Sequence, residues 1–195
     1  VTVPVLWDKR EETIVNNESA EIIRLFNSAF DSLTGNTDDY YPAPLRDEIE
    51  RINQRVYDSI NNGVYKSGFA TTQQAYEEAC RDLFEALDWV EGLLAERRYL
   101  AGDQITEADW RLFTTLVRFD PVYHGHFKCN LRRIQDYPHL SGYLRELYQW
   151  PGVAETVDFH HIKQHYYYSH ESINPTRIVP LGEGPDLMLA HGREG

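Results

Sequence analysis

The stretch that decides the fold is Asp103–Phe119, DQITEADWRLFTTLVRF. Thr106 is followed three residues later by Asp109, and a threonine and an acid at this spacing predict a capping box, in which each side chain binds the backbone amide of the other at a helix start. Behind the box, apolar residues recur around most of the helix: Ala108, Leu112, Phe113, Leu116, Val117 and Phe119. A helix that is apolar on most sides is buried among others. The stretch therefore predicts the central helix of a bundle, with Asp109 as a folding residue rather than a catalytic acid.

The composition indicates a core-forming domain with an acidic surface. The chain has 195 residues, 42% of them hydrophobic, and a net charge of −12. That charge argues against binding to nucleic acid or to anionic membranes. No apolar run reaches the roughly 18 residues of a membrane span, and no signal peptide is visible. Two cysteines are too few for a disulfide framework, which fits a reducing compartment, and we expect the cytoplasm.

The N-terminal pattern predicts a hairpin followed by a helix. Thr2–Trp7 is rich in β-forming residues and contains Pro4, which suits an edge position or a bend. A second strand is predicted at Thr13–Val15 and an amphipathic helix at Ser19–Phe30, with Ser19 as its N-cap or first-turn residue. Because the chain starts at Val1, inside the first predicted strand, we expect a fragment whose N-terminal part is missing.

The remainder of the chain reads as helical. Phe30–Pro44 is a polar linker with glycine and prolines, and Leu45–Asn62 is an amphipathic helix. Val64–Ala70 is predicted as a loop before a long helix that Thr72 caps and that ends near Glu96. The later segments are a bend at Asp120–Cys129, a helix from Tyr137, a further helix at Thr156–His170 and an extended tail from Asn174.

Five segments carry a resemblance to a known family: TVPVLWD at 2–8, VNNES at 15–19, VYKSGFA at 64–70, DPVYHGHF at 120–127 and HYYYSHESINP at 165–175. Together they resemble the xi class of the glutathione transferase superfamily, the glutathionyl-hydroquinone reductases. The resemblance implies a mainly α fold, in which the second half (β-β-α) of a thioredoxin-like domain precedes an all-helical C-terminal domain. The implied bounds are 1–31 for the glutathione-binding half-domain, 32–44 for a linker, 45–172 for the helical domain and 173–195 for the tail.

The resemblance also implies a glutathione site. The backbone of Val3, ahead of a cis Pro4, would pair with the cysteinyl unit of glutathione. Glu18 would hold the ammonium of its γ-glutamyl end, and Ser19 the carboxylate. The chemistry agrees, because an acid suits a cation and a hydroxyl at a helix N-terminus suits an anion. The alternative interpretation is that Glu18 is an exposed first-turn acid and Ser19 a plain cap.

Three tyrosines, each predicted at a helix end or kink, match the family's catalytic segments. The resemblance implies that Tyr65 donates and accepts the substrate proton, and that Tyr123 and Tyr166 donate hydrogen bonds to a cysteine thiolate and lower its pKa. Without the resemblance, each would be a half-buried aromatic residue whose hydroxyl needs a partner.

The catalytic cysteine itself is expected upstream of Val1, with a tryptophan that helps to hold glutathione. Cys80 and Cys129 lack the family's motif, and Cys80 lies on an apolar helical stripe as a small buried residue. This chain alone is therefore expected to be inactive. His161 and His165 have a metal-binding spacing, but neither an HExxH pattern nor a cysteine pair accompanies them, so we predict no metal and histidines that are solvated or packed on aromatic rings.

The implied activity is the glutathione-dependent reduction of glutathionyl-hydroquinones to hydroquinones through a mixed disulfide with the cysteine. Expected partners are glutathione, quinol conjugates and a second copy of the chain. One alternative is an omega-like thiol transferase or dehydroascorbate-type reductase. Another is a non-catalytic interaction module, against which the three tyrosines argue.

Overall fold

The computed structural model describes residues 3–193. The N-terminal part is an antiparallel hairpin of β1 (Leu6–Asp8) and β2 (Thr13–Asn16), followed by helix α1 (Ser19–Ser28). The peptide bond between Val3 and Pro4 is cis. The first strand is shorter than the predicted Thr2–Trp7, whose first residue lies outside the described range. The β-β-α order agrees with the sequence prediction.

The rest of the described chain is predominantly helical. The helices are α2 (Asp31–Thr34), α3 (Arg46–Val56), α4 (Gly63–Gly68), α5 (Gln73–Glu96), α6 (Glu107–Arg118), α7 (His124–His126), α8 (Leu140–Tyr148) and α9 (Phe159–Ser169). Two single π-helical turns, Tyr57–Asn61 and Phe119–Tyr123, extend α3 and α6. Short 3₁₀ turns lie at Ala43–Leu45, Ile134–Asp136 and Ala154–Thr156. The helix that Thr72 was predicted to cap begins and ends as expected.

The predicted linker includes the short helix α2, after which Gly35 adopts the left-handed conformation (φ 71°). One prediction from the sequence was wrong in detail. The predicted loop Val64–Ala70 is mostly the helix α4, because Gly68 serves close packing rather than chain reversal. A Cβ at Gly68 would lie 2.2 Å from the ring of Phe127. Gly68 therefore lets α4 pack closely against Phe127.

Helix α6 lies in the middle of the bundle, as predicted. Its residues Leu112 and Leu116 are completely or almost completely buried, in one core with residues of α3, α5 and α8. Burial of apolar side chains contributes about 25 cal/mol per Å². The central position of α6 therefore follows from an apolar surface that only surrounding helices can cover.

Asp109 is a fully buried folding residue at the start of α6. Its carboxylate accepts hydrogen bonds from the backbone amide of Thr106 at 2.8 Å and from the Thr106 hydroxyl at 3.0 Å, and the predicted capping box is present. The same carboxylate accepts from the amide of Leu100 at 3.0 Å and from the hydroxyl of Tyr143 at 2.7 Å. Burial raises the pKa of Asp109, although these hydrogen bonds oppose the shift. The side chain ties α6 to α8 and to the loop after α5.

A second buried carboxylate, Glu107, joins the N-terminal unit to the bundle. It accepts from Arg24 of α1 at 2.7 and 3.1 Å and from the amide nitrogen of Asn53 of α3 at 2.8 Å. Its own backbone amide donates to the carbonyl of Tyr40 at 2.8 Å. Glu107 is 5% exposed and the Arg24 side chain is 32% exposed, and the loss of a hydrogen bond to a charged group costs about 1.5–3 kcal/mol. This contact therefore fixes α1 on α3 and α6.

The tail after 174 has neither helix nor strand up to 193, as predicted. It is held by side chains of α8 and of the turn that follows. The Gln149 amide donates to the carbonyls of Leu187 and Leu189 at 2.7 and 2.8 Å, and Arg193 donates to Glu146 at 2.7 Å. Within 3–193, no helix is both long enough and apolar enough to cross a membrane.

The Asp109→Ala variant should lower the free energy of unfolding by roughly 2–4 kcal/mol, because several buried donors lose their acceptor and each such loss costs about 1–3 kcal/mol. Urea denaturation measures this change. The control is Asp103→Ala, at an exposed position just before the helix, which should leave the midpoint unchanged. An unchanged midpoint for Asp109→Ala would contradict the structural role.

Candidate active site

A cavity of about 1260 Å³ lies between the N-terminal unit and the helical bundle. The predicted glutathione residues Val3, Glu18 and Ser19 and the tyrosines Tyr65, Tyr123 and Tyr166 all line it. Pro4 follows Val3 at the cis bond and is not among the lining residues. The structure thus brings six of the seven predicted site residues to one cavity, although they come from sequence positions far apart.

The Glu18–Ser19 side of the cavity is the start of α1. Glu18 is the N-cap, and its carboxylate accepts from the amide of Ala20 at 3.5 Å. Ser19 is the first helical residue, so of the two predicted places for it the first turn is the right one. Both side chains are exposed. A helix N-terminus with an acid and a hydroxyl beside it can bind a group that carries both a cation and an anion.

The three tyrosine hydroxyls form a continuous chain on the bundle side. The hydroxyl of Tyr166 lies 2.5 Å from that of Tyr65 and 2.8 Å from that of Tyr123. Tyr123 and Tyr166 are 2% and 6% exposed, whereas Tyr65 is 40% exposed. The chain therefore runs from a buried end, Tyr123, to a solvent-accessible end, Tyr65.

The number of hydroxyl hydrogens limits how many hydrogen bonds the three tyrosines can donate to a ligand. Each phenol has one O–H hydrogen, and the two internal hydrogen bonds use two of the three. One hydrogen remains for a ligand. Tyr65 is the most exposed of the three phenols, which makes its hydroxyl the best placed to present that hydrogen to the cavity.

The backbone positions of the tyrosines differ from the prediction of helix ends and kinks. Tyr123 does lie in a π turn, where α6 gives way to α7. Tyr65 lies within α4 and Tyr166 within α9, however. What aims them at one point is the packing of their rings, with centroid separations of 6.4 Å between Tyr65 and Tyr166 and 5.4 Å between Tyr123 and Tyr166.

Burial keeps the inner phenols protonated. It raises the pKa of Tyr123 and of Tyr166 above the ordinary tyrosine value of 10, and the neighbouring hydroxyls reinforce the shift for Tyr123. The positive charge of Arg118 acts in the opposite direction on both. At neutral pH the two residues are hydrogen-bond donors and not bases.

Comparison with known proteins identifies the relatives of this chain. Residues 73–146 match the family described as "Glutathione S-transferase, C-terminal domain". The chain is 59% identical over 194 residues to glutathionyl-hydroquinone reductase YqjG of Escherichia coli K12, covering 100% of this chain and 59% of that protein. It is 61% identical over 187 residues to glutathionyl-hydroquinone reductase PcpF of Sphingobium chlorophenolicum, covering 96% and 60%.

Solved structures agree. The glutathione-bound structure of YqjG superposes on this chain with a TM-score of 0.97. The match covers 99% of this chain and 63% of the YqjG chain. A xi-class glutathione transferase from Natrialba magadii, 52% identical, gives a TM-score of 0.96 with 99% and 59% covered. This chain belongs to the xi class of the glutathione transferases. It spans about 60% of the length of the curated relatives just named. The predicted fold, half a thioredoxin-like domain before a helical glutathione-transferase domain, is confirmed.

The two cysteines of this xi-class chain are buried away from the cavity. Cys80 is 3% and Cys129 is 0% exposed, and neither is among the described residues that line the cavity. Burial raises the pKa of the Cys129 thiol to about 12 and also raises that of Cys80. The expectation of Cys80 as a small buried residue is confirmed. Neither thiol is suited to act as a nucleophile.

An aromatic layer with two histidines supports the tyrosines from behind. The ring of Phe127 lies between Tyr123, at a centroid distance of 5.4 Å, and His170, at 5.8 Å. His126 and His170 contact each other through ring nitrogens 3.1 Å apart. These histidines are packed on aromatic rings, whereas the side chain of His161 is 82% exposed. Among residues 3–193, no group of three or more potential ligands is arranged to hold a metal ion.

Sequence reasoning missed the polar side of α6. Arg111, Thr114, Thr115 and Arg118 all line the cavity. Their spacing of three, four and seven residues places them on one face of an otherwise apolar helix. That polar stripe is visible in the sequence, and it was the signal that this face of the central helix lines a cavity rather than the core.

His126 should make the unfolding free energy of the protein depend on pH. Burial lowers the pKa of this histidine from 6.5 to about 4. Between these values the unfolded chain binds a proton that the folded protein does not bind, so stability falls as the pH decreases from 6.5 to 4, by about 2–3 kcal/mol. Urea unfolding of His126→Gln across this range should show a shallower pH dependence than the parent.

The matched control is His161→Gln, which changes an exposed imidazole and should retain the parent's pH dependence. If His126→Gln follows the parent's curve instead, His126 is protonated in the folded protein and the packing account of this layer is wrong.

Proposed function

We propose that the intact protein is a glutathionyl-hydroquinone reductase, which uses glutathione to convert a glutathionyl-hydroquinone into the hydroquinone. The observation that carries this proposal is the chain of three tyrosine hydroxyls facing the same cavity as Glu18 and Ser19. The names of the two curated relatives support it. A binding module would have no need for a row of phenols that can pass a proton.

The proposed domain organisation follows the same lines. Residues 1–31 would form the second half of a glutathione-binding domain, 32–44 a linker, 45–172 the helical domain and 173–195 the tail. The hairpin and α1 expose apolar side chains, among them Ile14 at 53%, Val15 at 49% and Phe26 at 53%. Such a surface is suited to pack against the remainder of a thioredoxin-like domain.

Glutathione would bind across the N-terminal side of the cavity. Its γ-glutamyl ammonium would pair with the Glu18 carboxylate, while its γ-glutamyl carboxylate would accept from the Ser19 hydroxyl and the first amides of α1. The backbone of Val3 would pair with the cysteinyl unit. This placement directs the thiol end of glutathione toward the tyrosines. The glutathione-bound structure of YqjG supports glutathione as the ligand.

The reaction would begin with the attack of a cysteine thiolate on the sulfur of the thioether. A disulfide forms between the cysteine and glutathione, and the carbon–sulfur bond breaks with its electron pair passing to the ring, which takes up a proton to give the hydroquinone. A second glutathione thiolate then attacks the mixed disulfide. Oxidised glutathione leaves, and the cysteine thiolate is restored.

The nucleophilic cysteine would come from a part of the intact protein outside these residues. Cys80 and Cys129 are buried, and their thiol pKa values are raised rather than lowered. A reactive thiolate needs the opposite environment. The length of the relatives, of which this chain spans about 60%, is consistent with such a contribution.

Tyr123 and Tyr166 would support the thiolate before the attack, and Tyr65 would deliver the proton to the ring after the thiolate has reacted. Because only one hydrogen of the three phenols is free, the two roles follow one another. When Tyr65 gives its proton to the ring, Tyr166 and then Tyr123 can each shift a hydrogen bond toward it and stabilise the phenolate left behind. The chain therefore acts as one proton donor that spreads negative charge over several phenols.

The quinol conjugates would occupy the part of the cavity near the tyrosines. The protein would act as a homodimer.

A cytoplasmic location is proposed because both cysteines are free thiols, which suits a reducing compartment.

In the intact protein, Glu18→Gln should weaken glutathione binding by about 1.5–3 kcal/mol, the range for a hydrogen bond to a charged group. Isothermal titration calorimetry with glutathione provides the measurement. Glu21→Gln is the matched control, since it removes another first-turn acid of α1 that does not line the cavity. Equal affinity of the Glu18 variant and the parent would remove Glu18 from the proposed site.

Tyr166→Phe should slow turnover by roughly 100-fold, the low end of the effect of general acid–base catalysis, because it breaks the phenol chain at its centre. Release of hydroquinone from a glutathionyl-hydroquinone is followed by absorbance. The control is Tyr168→Phe on the same helix, at a side chain that is 51% exposed. If Tyr166→Phe turns over like the Tyr168 variant, the phenols are packing residues and the proposed mechanism fails.

A further inference from the structure

Arg118 stands at the end of the polar stripe of α6, inside the cavity. It is half-buried, and its charge is close enough to act on the hydroxyls of both Tyr123 and Tyr166. One guanidinium nitrogen donates to the backbone carbonyl of Thr114 at 2.5 Å. A guanidinium has five N–H donors. Most of its donors are therefore available to a ligand.

The charge of Arg118 has no counter-ion within residues 3–193, since no carboxylate there forms an ion pair with it. Arg111, one end of the same stripe, differs because it lies 3.8 Å from the buried carboxylate of Glu107. The chain contains 31 acidic and 19 basic residues. In so acidic a protein, an arginine left unpaired in a cavity is a binding feature and not a product of composition.

We propose that Arg118 determines specificity for the aromatic acceptor by binding an anionic ring oxygen, so that the cavity prefers ionised phenols to neutral aromatic compounds. This inference rests on the proposed function and deepens it, because it names the ionised phenol as the substrate class. The guanidinium would donate to the phenolate oxygen while the ring lies beside the phenol chain.

The surroundings of Arg118 favour a phenolate over other anions. The neighbouring phenols can donate their one free hydrogen to an anionic oxygen as well, and Trp110 adds an aromatic wall to the cavity. A planar guanidinium also stacks on aromatic rings. An aromatic ring with one negative oxygen satisfies all of these groups at once. A carboxylate of glutathione would use the cation but not the ring surfaces, so it is the alternative source of the anion.

Calorimetry on the intact protein, with no turnover required, tests the inference. The probes are 2,6-dichlorophenol above its own pKa, its methyl ether 2,6-dichloroanisole, which cannot ionise, and glutathione. The variants are Arg118→Met, Arg118→Lys and, as a distant control, Arg55→Met, whose guanidinium lies over the ring of Trp89 outside the cavity. The parent should bind the phenolate at least about tenfold more tightly than the ether, as a charge-assisted hydrogen bond implies.

Arg118→Met should lose roughly tenfold or more in phenolate affinity while it keeps its affinity for the ether and for glutathione. Arg118→Lys should retain most of the phenolate affinity, and Arg55→Met all of it. Equal phenolate binding by Arg118→Met and the parent would overturn the inference, and so would a loss confined to glutathione. If Arg118→Met does not fold, a parent that binds the ether as tightly as the phenolate overturns it equally.

These binding results are independent of catalysis. A protein that binds the phenolate through Arg118 but does not reduce a glutathionyl-hydroquinone would refute the proposed reaction and leave the binding site in place. A protein that catalyses the reaction without a contribution from Arg118 to phenolate binding would refute only the inference.

Discussion

The buried carboxylate of Glu107 is the contact on which the rest of the arrangement depends. Glu107 lies in the first turn of α6. Its carboxylate accepts hydrogen bonds from Arg24 of α1 and from Asn53 of α3 at donor–acceptor distances of 2.7–3.1 Å. The residues proposed to bind glutathione and the three tyrosines come from opposite sides of the cavity, so their separation is set by how α1 lies on the bundle. A partly buried, multiply hydrogen-bonded ion pair is directional, and its geometry is more restrictive than apolar contact alone. The site therefore depends on a folding contact.

On the bundle side, the packing of aromatic rings fixes the positions of the three phenols. Helix α4 can bring Tyr65 to the other two phenols only because Gly68 leaves room for Phe127. The ring of Phe127 also contacts Tyr123 and His170. The hydroxyls meet at 2.5 and 2.8 Å as a result. The three hydrogen-bonded phenols then have one free hydrogen between them. They act as a single donor, and the two buried hydroxyls can be polarised to support it. A catalytic role for any one tyrosine is inseparable from the other two.

The parts of this architecture that are local in sequence could be predicted, and the parts that depend on distant partners could not. The caps at Thr72 and Thr106 involve residues three positions apart, and both were found where expected. Gly68 was interpreted as a loop residue because its close neighbour, Phe127, lies 59 positions away and nothing local announces it. The link between Arg24 and Glu107 spans 83 positions. The tyrosines were found through a family resemblance, whereas the polar stripe that ends at Arg118 was present in the sequence and overlooked.

The central claim is that the start of α1 and the three phenols form one site for one glutathione conjugate. A crystal structure of the intact protein with a glutathionyl-hydroquinone bound tests it most directly. The account predicts the γ-glutamyl group at Glu18 and Ser19, the thioether sulfur beside the phenol chain and a ring oxygen within hydrogen-bond distance of the Tyr65 hydroxyl. A conjugate bound with its γ-glutamyl group elsewhere, or with its ring remote from all three hydroxyls, would contradict the account.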